Sequence, residues 1–211
     1  MAFVPEDIEK YCIQHSSGVS EVARKLMEDT RGRVHGSHML IGEMEASVIK
    51  FLLKLSGAKS IVEFGTYTGF SALIMAETIP QDGKVITIDV NPETTKMARS
   101  YWDQSPHGHK IELILRPGLE AIKDLNDEYD FIFIDADKNN YSHYLEWALS
   151  HLSPKGFIIS DNTLWYGKVL TPGLDKQTDS ICAHNEKAKN LEGFVKTLLP
   201  IRDGLFLITR N

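Results

Sequence analysis

Two aliphatic runs in this chain end abruptly in oxygen-bearing side chains. Phe131-Ile132-Phe133-Ile134 runs into Asp135-Ala136-Asp137-Lys138, and Phe157-Ile158-Ile159-Ser160 into Asp161-Asn162. Short buried apolar runs of this kind read as strands of a parallel sheet. Ligands of open α/β sheets sit just beyond the carboxyl ends of such strands. Two Asp and one Asn delivered to one sheet edge offer hard oxygen donors suited to Mg²⁺ or a similar divalent ion. Lys138, shortly after Asp135, adds a base beside them. The pairing predicts a catalytic metal site.

A second constellation surrounds Gly65. Ile61-Val62-Glu63-Phe64-Gly65-Thr66-Tyr67-Thr68-Gly69 reads as a strand, a glycine turn and a helix start. Gly65 lets the backbone turn tightly and approach a ligand closely. Asp89 ends the next strand, where a carboxylate accepts both ribose hydroxyls of a nucleoside; an acidic residue about 20 positions on is a known partner of such a turn. Alone, a turn like this is as often loop punctuation. The segment also lacks the full Gly-x-Gly-x-x-Gly spacing that sets a helix N-terminus on a pyrophosphate. Glu63 is a poor neighbour for phosphate. A cationic, phosphate-free cofactor such as S-adenosylmethionine fits better, because its sulfonium and ammonium charges suit Glu63, Asp89 and Asp135.

The elements that must position these groups alternate in period. Glu6 to Asp29 reads as helical, broken into two helices at Ser16-Ser17-Gly18, and Arg31 to His38 as a basic, flexible connection. A helix from Glu43 to Leu55 puts Val48, Phe51, Leu52 and Leu55 on one stripe. Strands are expected at Ser60–Phe64, Lys84–Ile88, Ile111–Leu115, Phe131–Ile134 and Gly156–Ser160. The helices between them are Phe70–Thr78, Pro92–Gln104, Leu119–Leu125 and Tyr141–Leu152, with Pro92 a helix-start signal. After a helix at Ala183–Asn190, strands Phe194–Leu199 and Leu205–Thr209 flank Asp203-Gly204, a hairpin signal. The pattern predicts one doubly wound α/β domain over residues 1–211, with an antiparallel C-terminal hairpin and an N-terminal helical appendage over residues 1–38.

Composition narrows the function classes. The chain has 211 residues and a formal net charge of −6, which argues against nucleic-acid binding by bulk electrostatics. Cys12 and Cys182 form no paired framework or zinc spacing, and the eight histidines show no paired metal spacing. His35, His38, His107 and His109 read as loop residues. No apolar stretch approaches the roughly 20 residues needed to span a bilayer, and the acidic first turn does not resemble a signal peptide. A cytoplasmic protein with no membrane partner is expected.

Taken together, Glu63 to Ser71, Phe131 to Lys138 and Asp161-Asn162-Thr163-Leu164-Trp165 resemble the cation-dependent O-methyltransferase family, which includes caffeoyl-CoA and catechol O-methyltransferases and bacterial relatives. The similarity runs in matching order from about Met39 to the C-terminus. The resemblance implies a Rossmann-like class I methyltransferase sheet. Asp135, Asp161 and Asn162 would hold the divalent ion, Mg²⁺ first, with Ca²⁺ or Mn²⁺ as alternatives. Met39, Ile41, Glu63, Gly65, Thr66, Ser71, Asp89, Glu120, Asp135 and Asp137 would line the S-adenosylmethionine site. Lys138 would take the general-base position with Asp135 beside it, and Trp165 and Tyr166 would wall the acceptor pocket next to Lys138. Relatives are commonly homodimers.

Some of these residues have plainer roles open to them. Ser71 caps a helix as readily as it touches a cofactor, and Trp165 and Tyr166 pack as readily as they wall a pocket. The chain also departs from the family: Gly42-Glu43-Met44-Glu45-Ala46 stands where relatives often show Pro-Glu-Gln-Gly or Asp-Glu-Gly, and Leu170 to Asp175 is individual. The favoured acceptor is a catechol-like small molecule with vicinal hydroxyls. A hydroxylated uridine in transfer RNA is the alternative, with Arg31, Arg33 and Lys168 as a basic rim. A non-catalytic or NAD-binding module is the reading from a different class.

Overall fold

The computed structural model describes residues 4–211. Its frame is a seven-stranded sheet in the order β3-β2-β1-β4-β5-β7-β6. The strands are β1 (Ser60–Phe64), β2 (Lys84–Asp89), β3 (Ile111–Leu115), β4 (Tyr129–Ile134), β5 (Leu152–Ser160), β6 (Phe194–Leu199) and β7 (Leu205–Arg210). The first five pair in parallel, while β7 runs antiparallel to both β5 and β6. The chain reverses its direction of winding between β1 and β4, so a crevice opens beyond their carboxyl ends. Among the described residues eight α-helices flank the sheet: α1 (Glu6–Gln14), α2 (Glu21–Arg33), α3 (Glu43–Ser56), α4 (Phe70–Thr78), α5 (Pro92–Trp102), α6 (Gly118–Ala121), α7 (Tyr141–Ser150) and α8 (Lys176–Lys189). None is long and apolar enough to cross a membrane, among the described residues.

The central strands are apolar on both faces because helices cover both. Ile61, Phe131, Phe133 and Ile159 pack into one core with Ala46, Ile49 and Leu53 of α3 and most of α4. Val62, Phe64, Ile132, Ile134 and Ile158 pack into the other, with Tyr141, Tyr144 and Trp147 of α7 and Ile181 of α8. Period-two alternation along each strand sends neighbours to opposite cores. At the amino edge, Asp130 of β4 accepts from the amides of Lys59 and Ser60 at 2.9 and 3.1 Å, and from Ser153 Oγ at 2.9 Å. One carboxylate thus ties β1, β4 and β5 together at the end away from the crevice.

Several expected boundaries shift, each for a local reason. The basic connection is shorter than its composition suggests: α2 continues through Arg33, and residues 37–39 form a 3₁₀ turn. The expected stripe on α3 is rotated, with Phe51 and Leu55 68% and 73% exposed while Ala46, Ile49 and Leu53 are buried. The helix is apolar around much of its circumference, so composition left its inward face undetermined. The helix expected at Leu119–Leu125 is a single α-turn followed by 3₁₀ geometry. The helix after β4 ends at Ser150, and β5 begins at Leu152, running through Pro154. Finally, α8 starts well before Ala183, at Lys176, because Asp175 accepts from the Thr178 amide at 2.8 Å as its N-cap.

Candidate active site

The crevice is a cleft of about 520 Å³ over the carboxyl ends of β1, β2 and β4. Its floor is the turn after β1. Gly65 has φ +97°, and a Cβ there would stand 2.0 Å from the Asp135 carbonyl oxygen. Only glycine lets the β1 and β4 ends approach so closely. Gly65, Thr66, Ser71, Asp89, Asp135, Asp137, Met39 and Ile41 all line the cleft. Met39 is half-exposed and Ile41 buried. His35 and His38, expected as loop residues, are exposed and stand at the rim of the same cleft.

Asp89 is the hub of this floor. Its Oδ2 accepts from the amides of Thr66 and Tyr67 at 2.9 and 2.7 Å, and its Oδ1 from those of Val90 and Asn91 at 2.7 and 2.9 Å. The ribose contact expected of it would have to share a carboxylate already engaged by four backbone donors. Glu63 does not line the cleft but lies fully buried beneath it. Thr87 Oγ1 donates to its Oε2 at 2.5 Å, while Oε1 has no partner among the described residues. Burial pushes its carboxyl up to about 8, which favours the neutral acid. Glu120 is exposed and outside the lining, where Arg116 and Gly118 stand instead. The register of that short helix was not legible from the sequence.

At the far end of the cleft the two acidic strand ends meet. Lys138 is buried, and its ammonium donates to Asp135 Oδ1 at 3.0 Å, to Asn162 Oδ1 at 2.7 Å and to Tyr141 Oη at 2.6 Å. Tyr141 Oη in turn donates to the Asp161 carbonyl at 3.0 Å. Asp161 is almost completely buried, and its Oδ1 accepts from the Asn162 amide at 2.7 Å. Burial first, then the charges of Asp135 and Glu45, hold its carboxyl well above the usual range. Asp161 and Asp135 therefore need a nearby positive charge to share this space as carboxylates. Lys138 already brings a cation to two of the three oxygen donors the sequence picks out, so the donor chemistry fits a hard divalent ion. No cluster of three His, Cys, Asp or Glu side chains is arranged for a metal among the described residues. The set read from the sequence would offer only two carboxylates, from Asp135 and Asp161, and the amide of Asn162.

The opposite wall is made by residues 162–166 and by the turn before β7. Asn162, Trp165 and Tyr166 have φ of +56°, +47° and +55°, uncommon for residues with side chains. Asp203 steadies this strained loop, accepting from the Tyr166 amide at 2.5 Å. The Trp165 ring lies 5.9 Å from the Lys138 ammonium. A second cavity of about 390 Å³ adjoins the cleft, sharing His38, Asn162 and Tyr166 with it. Glu45, Arg202 and Asp203 line this cavity; the sequence marked Asp203 only as part of a hairpin turn and gave none of the three a place in the site. Tyr141 and Tyr144 also escaped notice, though Tyr144 donates to Asp137 Oδ1 at 2.7 Å.

The O-methyltransferase family model matches residues 13–211. This chain belongs to that family. The family match replaces the non-catalytic, NAD-binding alternative. The O-methyltransferase is 33% identical over 210 residues to a probable caffeoyl-CoA O-methyltransferase of Dictyostelium discoideum, covering 96% of this chain and 91% of that one. Among solved structures, a Klebsiella pneumoniae chain assigned as an O-methyltransferase has a TM-score of 0.90 at 27% identity, covering 97% of this chain and 96% of the other. The SAH-bound methyltransferase of Podospora anserina has a TM-score of 0.90 at 24% identity, covering 100% and 99%. The doubly wound sheet with its antiparallel hairpin is the fold of these proteins.

Proposed function

We propose that this O-methyltransferase moves the methyl group of S-adenosylmethionine to one of two vicinal hydroxyls on a small acceptor, in a reaction that depends on a divalent cation. The observation that carries this reading is the meeting of Asp135, Asn162 and Lys138 where the cofactor cleft joins the second cavity. The cleft, with its glycine floor and acidic lining, suits the cationic cofactor, and the SAH-bound relative of the same fold supports the choice. Asp135, Asp161 and Asn162 would hold the ion, Mg²⁺ before Ca²⁺ or Mn²⁺. When bound it supplies a charge that lowers the pKa of a coordinated hydroxyl and orients it.

The protein's own groups do the rest. Lys138, held by Asp135, Tyr141 and Asn162, would act as the base: its ammonium first releases one proton to solvent, and the neutral amine then takes the acceptor's hydroxyl proton on Nζ. Trp165 and Tyr166 wall the acceptor against the cofactor, so that the hydroxyl oxygen and the methyl carbon are held in line. The direct test is mass spectrometry of 3,4-dihydroxybenzoate incubated with S-adenosylmethionine and Mg²⁺, then with EDTA. A methylated product that vanishes with EDTA is expected, and a product that persists in EDTA would sink the cation dependence.

The transfer RNA reading draws on Arg31 and Arg33, both exposed near the end of α2, and on Lys168. Methylation of transfer RNA, with salt-sensitive binding and no catechol product, would favour it. A homodimer is part of the proposal. Helix α1 has no buried residue, and Ile8, Tyr11, Phe51 and Leu55 are exposed on α1 and α3. Light scattering at two concentrations tests it.

A further inference from the structure

The mechanism leaves one charged pair unused. Glu45, at the start of α3, is buried to 1% exposure, and its Oε2 accepts from the Gly42 amide at 2.5 Å and from Arg202 Nη1 at 3.0 Å. Arg202 comes from the turn between β6 and β7. Its Nη1 also donates to the Leu40 carbonyl at 3.0 Å, so both protons of that nitrogen are spent. Nε and Nη2 have no partner among the described residues.

The chain goes to some length to hold this guanidinium. Arg202 has φ +45°, in the left-handed region that side chains disfavour. Its side chain passes through a notch at Gly42, where a Cβ would lie 2.9 Å from both Cδ and Nη1 of Arg202. Any other residue at 42 would displace it. Strained backbone, a glycine notch and an ion pair to buried Glu45 thus fix one nitrogen of Arg202 and leave Nε and Nη2 uncommitted among the described residues, while the half-buried side chain lines the second cavity together with Asn162. A guanidinium edge with parallel donors matches a planar carboxylate, as it does a phosphate.

We propose that Arg202 is a specificity-determining residue, receiving a carboxylate that the methyl acceptor carries at the end away from its hydroxyls. The proposal rests on the vicinal-diol reading above. Two other carboxylates line the cavity besides Glu45. Asp203 has committed Oδ1 to the Tyr166 amide but keeps Oδ2 buried without a partner, and Glu9 of α1 makes no side-chain hydrogen bond, among the described residues. Glu9 would welcome an ammonium, so acceptors with acidic and basic tails give opposite predictions.

The test is calorimetric binding to the full chain with S-adenosylhomocysteine and Mg²⁺. The probes are 3,4-dihydroxycinnamate, 3,4-dihydroxyphenethylamine, 4-methylcatechol and cinnamate, which has no hydroxyls. The acidic diol is expected to bind about tenfold more tightly than 4-methylcatechol. In Arg202→Gln that ratio should fall to about one. Because this variant strands Glu45, the double variant Glu45→Gln/Arg202→Gln, which removes both charges, must show the same collapse. Tighter binding of the amine by the wild type, or a ratio preserved in both variants, would overturn the proposal. Cinnamate separates the two readings. Binding of cinnamate that needs Arg202, with no diol methylated, would refute the diol acceptor and keep the carboxylate site. Failure of both carboxylates to bind in an Arg202-dependent way would refute the site.

Discussion

The two walls of the active site are built by different means. The cofactor wall is made from short contiguous segments at the carboxyl ends of β1, β2 and β4, and its positive φ values fall on Gly65 and Gly69 and on one residue with a side chain, Tyr67 at φ +49°. The acceptor wall gathers residues from α3, the 162–166 loop and the turn before β7, and its positive φ values fall on Asn162, Trp165, Tyr166 and Arg202. One wall carries a single such residue and reads as a contiguous sequence motif. The other stores strain, which must be offset by contacts from distant parts of the chain. In the proposed function, that difference would separate what binds a fixed cofactor from what chooses a variable acceptor.

The largest effect should come where the walls meet. Asp161→Ala is expected to abolish cation-dependent transfer, a loss of several kcal/mol or roughly a thousandfold in rate. Retention of wild-type activity in the presence of EDTA would break the scheme. Next is Gly65→Ala, whose Cβ would collide with the Asp135 carbonyl at a positive φ. It should cost roughly 3 kcal/mol in denaturant unfolding and weaken cofactor binding by calorimetry. Unchanged values would show that β1 and β4 part without penalty.

The walls also differ in their response to pH. Glu63, under the cofactor wall, is raised from 4.5 to about 8 by burial. Between those values the native state keeps a proton that the unfolded chain has released, so stability falls as pH rises, by on the order of 1 kcal/mol per pH unit. Glu63→Gln should flatten this limb. His184 of α8 packs edge-on against Tyr141 with its ring centroid 5.3 Å away, and burial lowers it from 6.5 to about 4. Its contribution is complete above pH 6.5 and is lost as pH falls toward 4, so His184→Phe should flatten the acid limb instead. Stability measured against pH for both variants checks the pair; a single change that flattened both limbs would contradict separate origins.

The smallest expected effect is the most local. Asp203→Ala removes the acceptor of the Tyr166 amide and frees the strained loop. The KM of the acceptor should rise about tenfold while cofactor affinity holds. Equal loss of both affinities would mean that the walls are not separable.

The same division decided what the sequence could reveal. The sheet, its winding and the positions of Gly65, Asp89, Asp135, Asp161 and Asn162 follow from apolar runs that end in oxygen donors, a local signal. The pair Glu45 and Arg202 joins positions 157 residues apart and obeys no spacing rule. The inward face of α3 was misjudged for a related reason. Phe51 and Leu55 are as apolar as Ile49 and Leu53, and only the docked sheet decides which are covered. Glu63 was expected to meet the cofactor's charge, yet alternation along β1 turns it into the core beneath.

Asp130 gives this arrangement its tolerance for change. By tying three neighbouring strands at their amino edge, it fixes their register at the end where no chemistry happens. Loops at the opposite edge can then be replaced, lengthened or given new charges without the strands slipping past one another. Substrate range in such a scaffold can diverge by surface edits alone, and a library randomised at the acceptor loops should retain folded members far more often than one randomised around Asp130.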